Sequence, residues 1–215
     1  MLEVMATMIT KSALALLAAV LGLAVSAAAI PRTGADSRAF ASGGSIEVSV
    51  PVGDVHVTST QSSRIELHYR VKPKTSWFGS EDAALANIHL RFEVHGQQAE
   101  INFTDDNHGH NSSIDVELDI PARETLRVSL GVGDIRVGQI AGDQRLETGV
   151  GDIKVAIANA SDIRTVEAST GVGDIEGGPF GHGSGFVGKS LDYSGSGTYR
   201  ITAHSGVGDI HLGSS

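Results

Sequence analysis

Apolar and polar residues alternate one by one along most of the chain after residue 44. In residues 45–50 the apolar side chains are Ile46, Val48 and Val50, and the same period of two continues in residues 55–58. A period of two places successive side chains on opposite faces of a strand, so these segments are predicted to be half-buried β-strands. The pattern recurs in residues 64–71, 87–94, 100–103 and 113–120. The chain is therefore predicted to be all-β.

A short phrase of valine, glycine, aspartate and a β-branched residue follows several of these strands. Its copies lie in residues 52–55, 131–135, 149–153, 171–175 and 206–210. Glycine adopts positive φ without a steric penalty, and an aspartate after it is typical of a tight turn that starts a strand. A repeated unit of this kind buries its apolar face against its neighbours. The sequence thus predicts a single-domain β-solenoid, a β-helix-like stack of short strands with Gly-Asp turns.

The copies are unevenly spaced toward the C-terminus. The longest interval runs from Gly171 to Gly206 and contains residues 177–190. This interval leaves the register of the last coils open. We expect residues 204–212 to form the last rung of the stack, with a strand edge that is free to pair.

The N-terminus has the composition of a secretory signal peptide. Lys11 precedes an apolar run over residues 13–25, which ends in the small residues 26–29. We predict a signal peptide over residues 1–29 with cleavage after Ala29, a flexible tether over residues 30–43 and a β-strand-repeat domain over residues 44–215. The alternative is an uncleaved anchor, because the apolar segment nearly reaches the ~20 residues of a membrane span.

Composition and charge limit the cellular compartments and the classes of partner that fit this chain. The chain has 215 residues, no cysteine and a formal net charge of −9. Export without disulfides favours a bacterial envelope, in the periplasm or at the cell surface. Nucleic acids and anionic membranes need a basic surface, so the charge argues against both as partners, and no membrane insertion is expected after signal cleavage.

The repeated aspartates admit two interpretations. Stacked carboxylates of Asp54, Asp134, Asp152, Asp174 and Asp209 could bind Ca²⁺, as glycine-aspartate repeats of nine residues do. The spacing of the copies does not keep that period. An aspartate that accepts backbone N–H groups at each turn explains the pattern without metal, and this structural role is the prediction.

Two further motifs suggest ligands. Residues 183–190 match the G-x-x-x-x-G-K-[ST] phosphate loop, but the β-prone residues 191–195 follow where that loop needs a helix. Residues 105–111 hold Asp105, Asp106, His108 and His110, and are predicted to be a polar hairpin loop. Neither is assigned a function. The sequence predicts no catalytic, cofactor-binding or metal-binding residue, and no cofactor.

The residues around the phrases resemble the bacterial "putative adhesin" family of β-strand repeats, also called toastrack domains. The resemblance rests on residues 45–55, 116–121, 126–135 and 199–210, and it spans residues 44–212. It implies an exported or envelope-associated β-solenoid. The family supplies no established active site to carry over.

Two classes of function follow from this sequence. The first is a non-enzymatic exported envelope protein, a binding, adhesion or scaffold module whose partner is an envelope glycan, a protein or another copy of itself. The alternative is a polysaccharide-active β-helix enzyme, a lyase or hydrolase. Such an enzyme needs basic and acidic groups on one wall of successive coils. The outward positions His56, Arg136, Lys154, Glu176 and His211 offer such a mixed row only if their coils are adjacent. We predict the binding module.

Overall fold

The computed structural model describes residues 30, 32–73, 85–106, 112–185 and 187–213, and nearly all of their regular structure is β-strand. Single 3₁₀ turns lie at Ala160–Asp162 and Gly178–Phe180. The strands are β1 (Thr33–Ala39), β2 (Ser45–Val52), β3 (Val55–Thr60), β4 (Arg64–Pro73), β5 (Ile88–His95), β6 (Gln98–Asp105), β7 (Ser112–Pro121), β8 (Thr125–Val132), β9 (Ile135–Val137), β10 (Gln144–Val150), β11 (Ile153–Ala156), β12 (Ile163–Val172), β13 (Ile175–Glu176), β14 (Lys189–Ser194), β15 (Tyr199–Val207) and β16 (Ile210–Gly213).

The strands form two mixed sheets of eight. Sheet A has the order β1-β4-β7-β3-β9-β11-β16-β13, and sheet B has the order β14-β12-β15-β10-β8-β2-β6-β5. Each Gly-Asp phrase lies at a corner where the chain leaves sheet B and enters sheet A. We call the two strands joined by such a corner a rung. The five rungs stack in the order β2/β3, β8/β9, β10/β11, β15/β16 and β12/β13, with parallel pairing throughout.

The core lies between the two sheets and is made of the inward residues of every rung. On β2 the inward residues Ile46, Val48 and Val50 are at most 2% exposed, and on β3 Val55 and Val57 are fully buried. The alternation of apolar and polar residues therefore predicts the burial of these strands correctly. The all-β prediction is confirmed.

The expected position of the last rung is wrong. β15/β16, which holds residues 204–212, lies between β10/β11 and β12/β13 and is paired on both sides. The reason is the interval between Gly171 and Gly206. After β13 the chain turns back, adds β14 antiparallel to the outer edge of β12, and then returns to fill the space inside β12/β13.

The tether predicted over residues 30–43 is structured in the part that the structure describes. β1 pairs antiparallel with β4 along seven residues, and Phe40 is 3% exposed in the core. An edge strand is held through its backbone, so the polar side chains of β1 give no alternating apolar pattern that would reveal it. The loop after Phe40 is fixed by the buried carboxylate of Glu124, which accepts the N–H groups of Gly43 (3.2 Å) and Gly44 (2.5 Å).

The two ends of the stack differ. At one end β4 and β5 pair antiparallel with β7 and β6, and β1 lies outside β4. At the other end residues 177–185 cover the short strand β13, where the N–H of Gly183 donates to the carbonyl of Ile175 (2.9 Å). Among the described residues no helix has the length and apolar character needed to cross a membrane.

Candidate functional site

The repeated aspartates form a ladder along the corners. Every side chain except that of Asp174, which ends the ladder, accepts through Oδ1 the backbone N–H of the aspartate on the next rung. The four contacts are Asp134 N–H to Asp54 (3.1 Å), Asp152 N–H to Asp134 (3.0 Å), Asp209 N–H to Asp152 (2.9 Å) and Asp174 N–H to Asp209 (2.8 Å). The predicted structural role is confirmed, with one difference: the amide belongs to the neighbouring rung and not to the same turn.

The glycine before each aspartate permits this close stacking. Gly151 has φ +141°, and a Cβ placed on it would lie 1.9 Å from the carbonyl oxygen of Gly133 on the next rung. Gly133, with φ +134°, has the same relation to Gly53. A side chain is therefore excluded twice, by the backbone conformation and by the neighbouring carbonyl.

Buried hydroxyl groups support three corners from inside. Thr148 donates to the carbonyl of Gly133 (3.2 Å), Ser205 to that of Gly151 (2.9 Å) and Thr170 to that of Gly208 (2.8 Å). These side chains are at most 3% exposed, so the hydrogen bonds satisfy both the hydroxyl and the corner carbonyl. These buried hydrogen bonds hold the corner backbone in place.

The outward positions of sheet A form one row, and their coils are adjacent. The row consists of His56, Arg136, Lys154, His211 and Glu176, which lie opposite one another on β3, β9, β11, β16 and β13. Four of them, all except Glu176, line a shallow depression of about 490 Å³. The coils that carry these five positions are therefore adjacent, which is the condition under which they form a mixed row of basic and acidic groups. We call this set the sheet A row.

The charges of the sheet A row are partly compensated. Arg136 donates to Asp134 Oδ2 (2.8 Å), and the ring Nδ1 of His211 lies 3.0 Å from Glu176 Oε2. Lys154 and His56 have no hydrogen-bond or ion-pair partner in the part of the chain that the structure describes. The row therefore offers to a ligand the ammonium group of Lys154, which lies between the paired residues Arg136 and His211, and the imidazole of His56 at one end of the row.

The phosphate-loop motif leads into a strand. Lys189 is the first residue of β14, and its ammonium group forms an ion pair with Asp174 at the end of the aspartate ladder. A phosphate loop needs the N-terminus of a helix at this position. The interpretation of residues 183–190 as a glycine-rich surface loop holds for the described residues before Lys189, whereas Lys189 and Ser190 already belong to β14.

The polar loop at residues 105–111 is described only at its start. Asp105 is buried and accepts the hydroxyl of Ser112 (2.8 Å), and Asp106 Oδ2 lies 3.4 Å from His89 Nε2. His108 and His110 lie outside the described residues. Within the ranges that are described, no three His, Asp or Glu side chains are grouped as metal ligands.

A serine and a histidine on sheet B form a pair that the sequence analysis missed. Ser169 Oγ lies 2.9 Å from His204 Nδ1, and Glu147 is opposite His204 on the next strand. Ser169 and His204 are 35 residues apart in the sequence. They are neighbours because β12 pairs with β15. The pair lies on an open sheet face, and the backbone N–H groups of the strands beside it are engaged in strand pairing, so among the described residues these N–H groups are not left to form an oxyanion hole.

One carboxylate on sheet B is strongly perturbed. Glu93 on β5 accepts hydrogen bonds from Arg91 (2.8 Å) and lies 3.2 Å from the ring of His95. These hydrogen bonds, with that of Arg91 the larger, lower the pKa of Glu93 to about 2. The group is exposed and fully ionised at neutral pH, which suits an ion pair at a sheet edge better than a proton-transfer role.

Comparisons with known proteins identify the fold. The sequence matches no family model and no curated protein. The structure is similar to that of a putative cell adhesion protein from Clostridium sporogenes, with a TM-score of 0.51 and 13% sequence identity over 85% of this chain and 100% of that chain. A putative adhesin from Parabacteroides distasonis aligns with a TM-score of 0.28 and 14% identity over 85% of this chain and 74% of that chain. The chain therefore has the fold of a putative cell adhesion protein, as its resemblance to the putative adhesin family predicted.

Proposed function

We propose that this chain is a non-enzymatic exported envelope protein, a β-solenoid that binds an envelope glycan or protein through the outer face of sheet A. The sheet A row is the observation that carries the proposal. It brings Lys154, Arg136 and two histidines to consecutive strands beside a shallow depression. The N-terminal segment over residues 1–29 supports export to the periplasm or the cell surface.

The row suits an extended polar polymer. Neighbouring strands are about 4.8 Å apart, so the row presents one polar side chain at each such step. A glycan chain repeats its hydroxyl and carboxylate groups at a similar pitch and can contact several rungs at once. Each contact is weak because the surface is open to solvent, and the affinity comes from their number. Rigid corners support such binding because little ordering is needed on association.

The test is retention of envelope material by the immobilised exported protein. Arg136→Ser with Lys154→Ser removes two cations from the row and should lower retention of an envelope polysaccharide fraction about tenfold or more. Arg123→Ser with Arg164→Ser is the matched control, because it removes two exposed cations outside the row. Equal retention by the two double variants, or no retention by the wild type, would contradict the proposal.

A polysaccharide lyase or hydrolase is the second candidate, because the sheet A row places basic and acidic groups on one wall of successive rungs. Its signature is release of unsaturated or reducing sugar ends from the same polysaccharide fraction. Loss of that release in Lys154→Ala or Glu176→Gln, with the fold intact by circular dichroism, would establish the enzyme in place of the binding module.

A further inference from the structure

Sheet B has an open edge at β5. In the described ranges β5 pairs with β6 on one side, and no strand pairs with its other side. Directly before β5, the carbonyl of Asn87 accepts the N–H of Asp106 (3.0 Å). Hydrogen-bonded pairs of an antiparallel ladder recur at every second residue, so the odd-numbered residues of β5 point their backbone groups toward β6. The N–H and C=O groups of Leu90, Phe92 and Val94 therefore point to the open edge.

The side chains of β5 divide between the two faces of sheet B. The inward side chains are all apolar and are buried or partly buried: Ile88, Leu90, Phe92 and Val94. The outward side chains are all polar: His89, Arg91, Glu93 and His95. Proline and inward-pointing charges are common means of protecting an edge strand from another chain, and β5 has neither. Its edge is therefore a template on which another strand can pair.

The other sheet edges in the described part of the chain are protected. β1, the edge of sheet A at the same end, carries Asp36 and Arg38 opposite buried residues of β4, so these charges point inward. Residues 177–185 cover β13 at the other end. One end of β14 pairs with Ser184, which exchanges two backbone hydrogen bonds with Ser190. A partner strand is therefore expected at β5 rather than at these edges.

A second copy of β5 is complementary to this edge. Two copies can pair antiparallel about a twofold axis that is perpendicular to sheet B and passes beside Phe92. Inward residues then oppose inward residues, and outward residues oppose outward residues. Apolar side chains meet on the inner face, and opposite charges meet twice on the outer face. The opposed pairs are Phe92 with Phe92, Leu90 with Val94, Arg91 with Glu93 and His89 with His95.

Charge selects this register among those centred on the middle of β5. An axis beside Arg91 sets two guanidinium groups opposite each other, and an axis beside Glu93 does the same with two carboxylates. Like charges directly opposite each other destabilise a strand pair. With the axis beside Phe92, about six backbone hydrogen bonds join the copies, because each opposed pair of edge-facing residues exchanges two.

The sheet A strand beside this edge adds no unbalanced charge. The guanidinium of Arg38 lies 5.2 Å from the centroid of the Phe92 ring, and it is paired with Asp36 (2.9 Å). These three residues and Leu90 line a groove of about 740 Å³ beside β5. A second copy on β5 would cover this side of the groove and remove the partly buried Leu90 and Val94 from water.

We propose that two copies of this chain associate through the open edge of β5, antiparallel and with Phe92 opposite Phe92. The interface is isologous and closes at the dimer, because the pairing uses the β5 edge of both copies. The two B sheets become one continuous sheet. Since the axis is perpendicular to that sheet, the sheet A rows of both copies face the same side. The dimer thus presents two rows to one surface.

Sedimentation equilibrium of the exported protein tests the association. We expect a monomer–dimer equilibrium. Arg91→Glu sets carboxylates opposite each other at two positions and should raise the dimer Kd about tenfold or more. Arg145→Glu is the matched control, because Arg145 also pairs with a glutamate two residues on, Glu147, but lies on β10, which has partners on both sides. A monomeric wild type at high concentration, an open series of larger oligomers, or equal weakening by the two variants would overturn the proposal.

Mixing two charge variants tests the register. Arg91→Glu alone and Glu93→Arg alone each set like charges opposite one another, so each should dimerise more weakly than the wild type. In an equimolar mixture, the carboxylate introduced by Arg91→Glu in one copy meets the guanidinium introduced by Glu93→Arg in the other. The unchanged Glu93 and Arg91 of the two copies also meet. The mixture should therefore recover dimers, with the fold of each variant checked by circular dichroism. Failure to recover them, while the wild type dimerises, would rule out this register.

Amide hydrogen exchange resolved by residue identifies the edge. The amides of Leu90, Phe92 and Val94 should exchange slowly at concentrations where the dimer forms and faster after dilution to the monomer. The amides of Arg91 and Glu93 are bonded to β6 in both states and should respond less. Equal exchange of the three edge-facing amides in monomer and dimer would overturn the proposal.

The dimer does not rest on the proposed ligand binding. Retention of the polysaccharide fraction by the Arg136→Ser and Lys154→Ser variant is read separately and tests the sheet A row alone. A wild type that dimerises but retains no envelope material would contradict the proposed function and leave the β5 interface standing.

Discussion

The carboxylate of Asp134 accepts the backbone N–H of Asp152 on the next rung, with 3.0 Å between Oδ1 and N. Asp152 does the same for Asp209 at 2.9 Å. The aspartate side chain of one repeat thus accepts a hydrogen bond from the backbone of the next repeat. The Gly-Asp phrase therefore joins neighbouring rungs. Its repetition in sequence reflects a repeated contact between neighbours in space.

Removal of one such carboxylate should destabilise the fold. Asp152→Ala leaves the N–H of Asp209 without its acceptor, and we expect a loss of about 1–2 kcal/mol in the free energy of unfolding. Asp152→Asn keeps an Oδ1 acceptor at the same place and should cost less. Urea unfolding curves of both variants measure the difference. Equal loss in the two variants would assign the effect to charge and not to this hydrogen bond.

Substitution of a corner glycine should cost more. In Gly151→Val a β-branched residue is forced to φ +141°, and its Cβ would lie 1.9 Å from the Gly133 carbonyl oxygen. We expect destabilisation well above the ~1 kcal/mol typical of point mutants, seen as a lower Tm. Gly96→Asn is the comparison, because Gly96 has φ +63° with open space around it and Asn tolerates that region. An unchanged Tm in Gly151→Val would contradict this account of the corners.

The ion pairs of Glu93 predict a contribution to stability that depends on pH. Its pKa is about 2 in the folded state and about 4.3 in an unfolded chain. A lowered pKa stabilises the folded state above the unfolded value, and this stabilisation is lost as pH falls through about 2. Glu93→Gln should therefore lower Tm at pH 7, and the gap to the wild type should close between about pH 4 and pH 2. A gap that stays constant over this range would contradict the assignment.

Much of the fold was predictable from local sequence. Strict alternation in β2 and β3 gives both the strands and their buried faces, and the Gly-Asp phrase gives the corners. The edge strand β1 was not predictable, because its pairing with β4 uses the backbone and its side chains stay in water. The order of the strands within the two sheets was also not predictable from the sequence. Nothing in residues 177–190 indicates that the chain will turn back and leave a space for β15/β16.

The candidate site was likewise predictable only in part from the sequence. The members of the sheet A row were identifiable as outward residues of each copy, because they follow the buried residue after each corner. Their adjacency depends on the stacking order and needed the structure. The pair of Ser169 and His204 gave no signal in sequence, since the two residues belong to rungs that are neighbours only in space.

Processing at the N-terminus remains a prediction from the sequence. Cleavage after Ala29 should give an exported protein that begins at Ile30, as intact-mass measurement can determine. Ile30 is partly buried against the core, so the predicted new terminus lies next to folded structure. A mass that includes residues 13–29 would instead establish an anchored protein.

The position of β15/β16 predicts that these two strands are essential for folding. These strands are last in sequence, yet they pair with β10/β11 on one side and β12/β13 on the other, and the N–H of Ile210 donates to the carbonyl of Asp174 (2.9 Å). Deletion of residues 195–215 removes the rung that joins β12–β14 to the rest, and leaves the backbone N–H and C=O groups of β10/β11 and of β12/β13 unpaired on that side. We expect loss of the cooperative unfolding transition and aggregation of the product. Deletion of residues 30–39, with residues 1–29 kept, removes the edge strand β1 and the partly buried Ile30 and should leave a folded protein with a lower Tm. Circular dichroism and thermal unfolding compare the two deletions, and a cooperative transition in the C-terminal deletion would show that the remaining rungs fold without β15/β16.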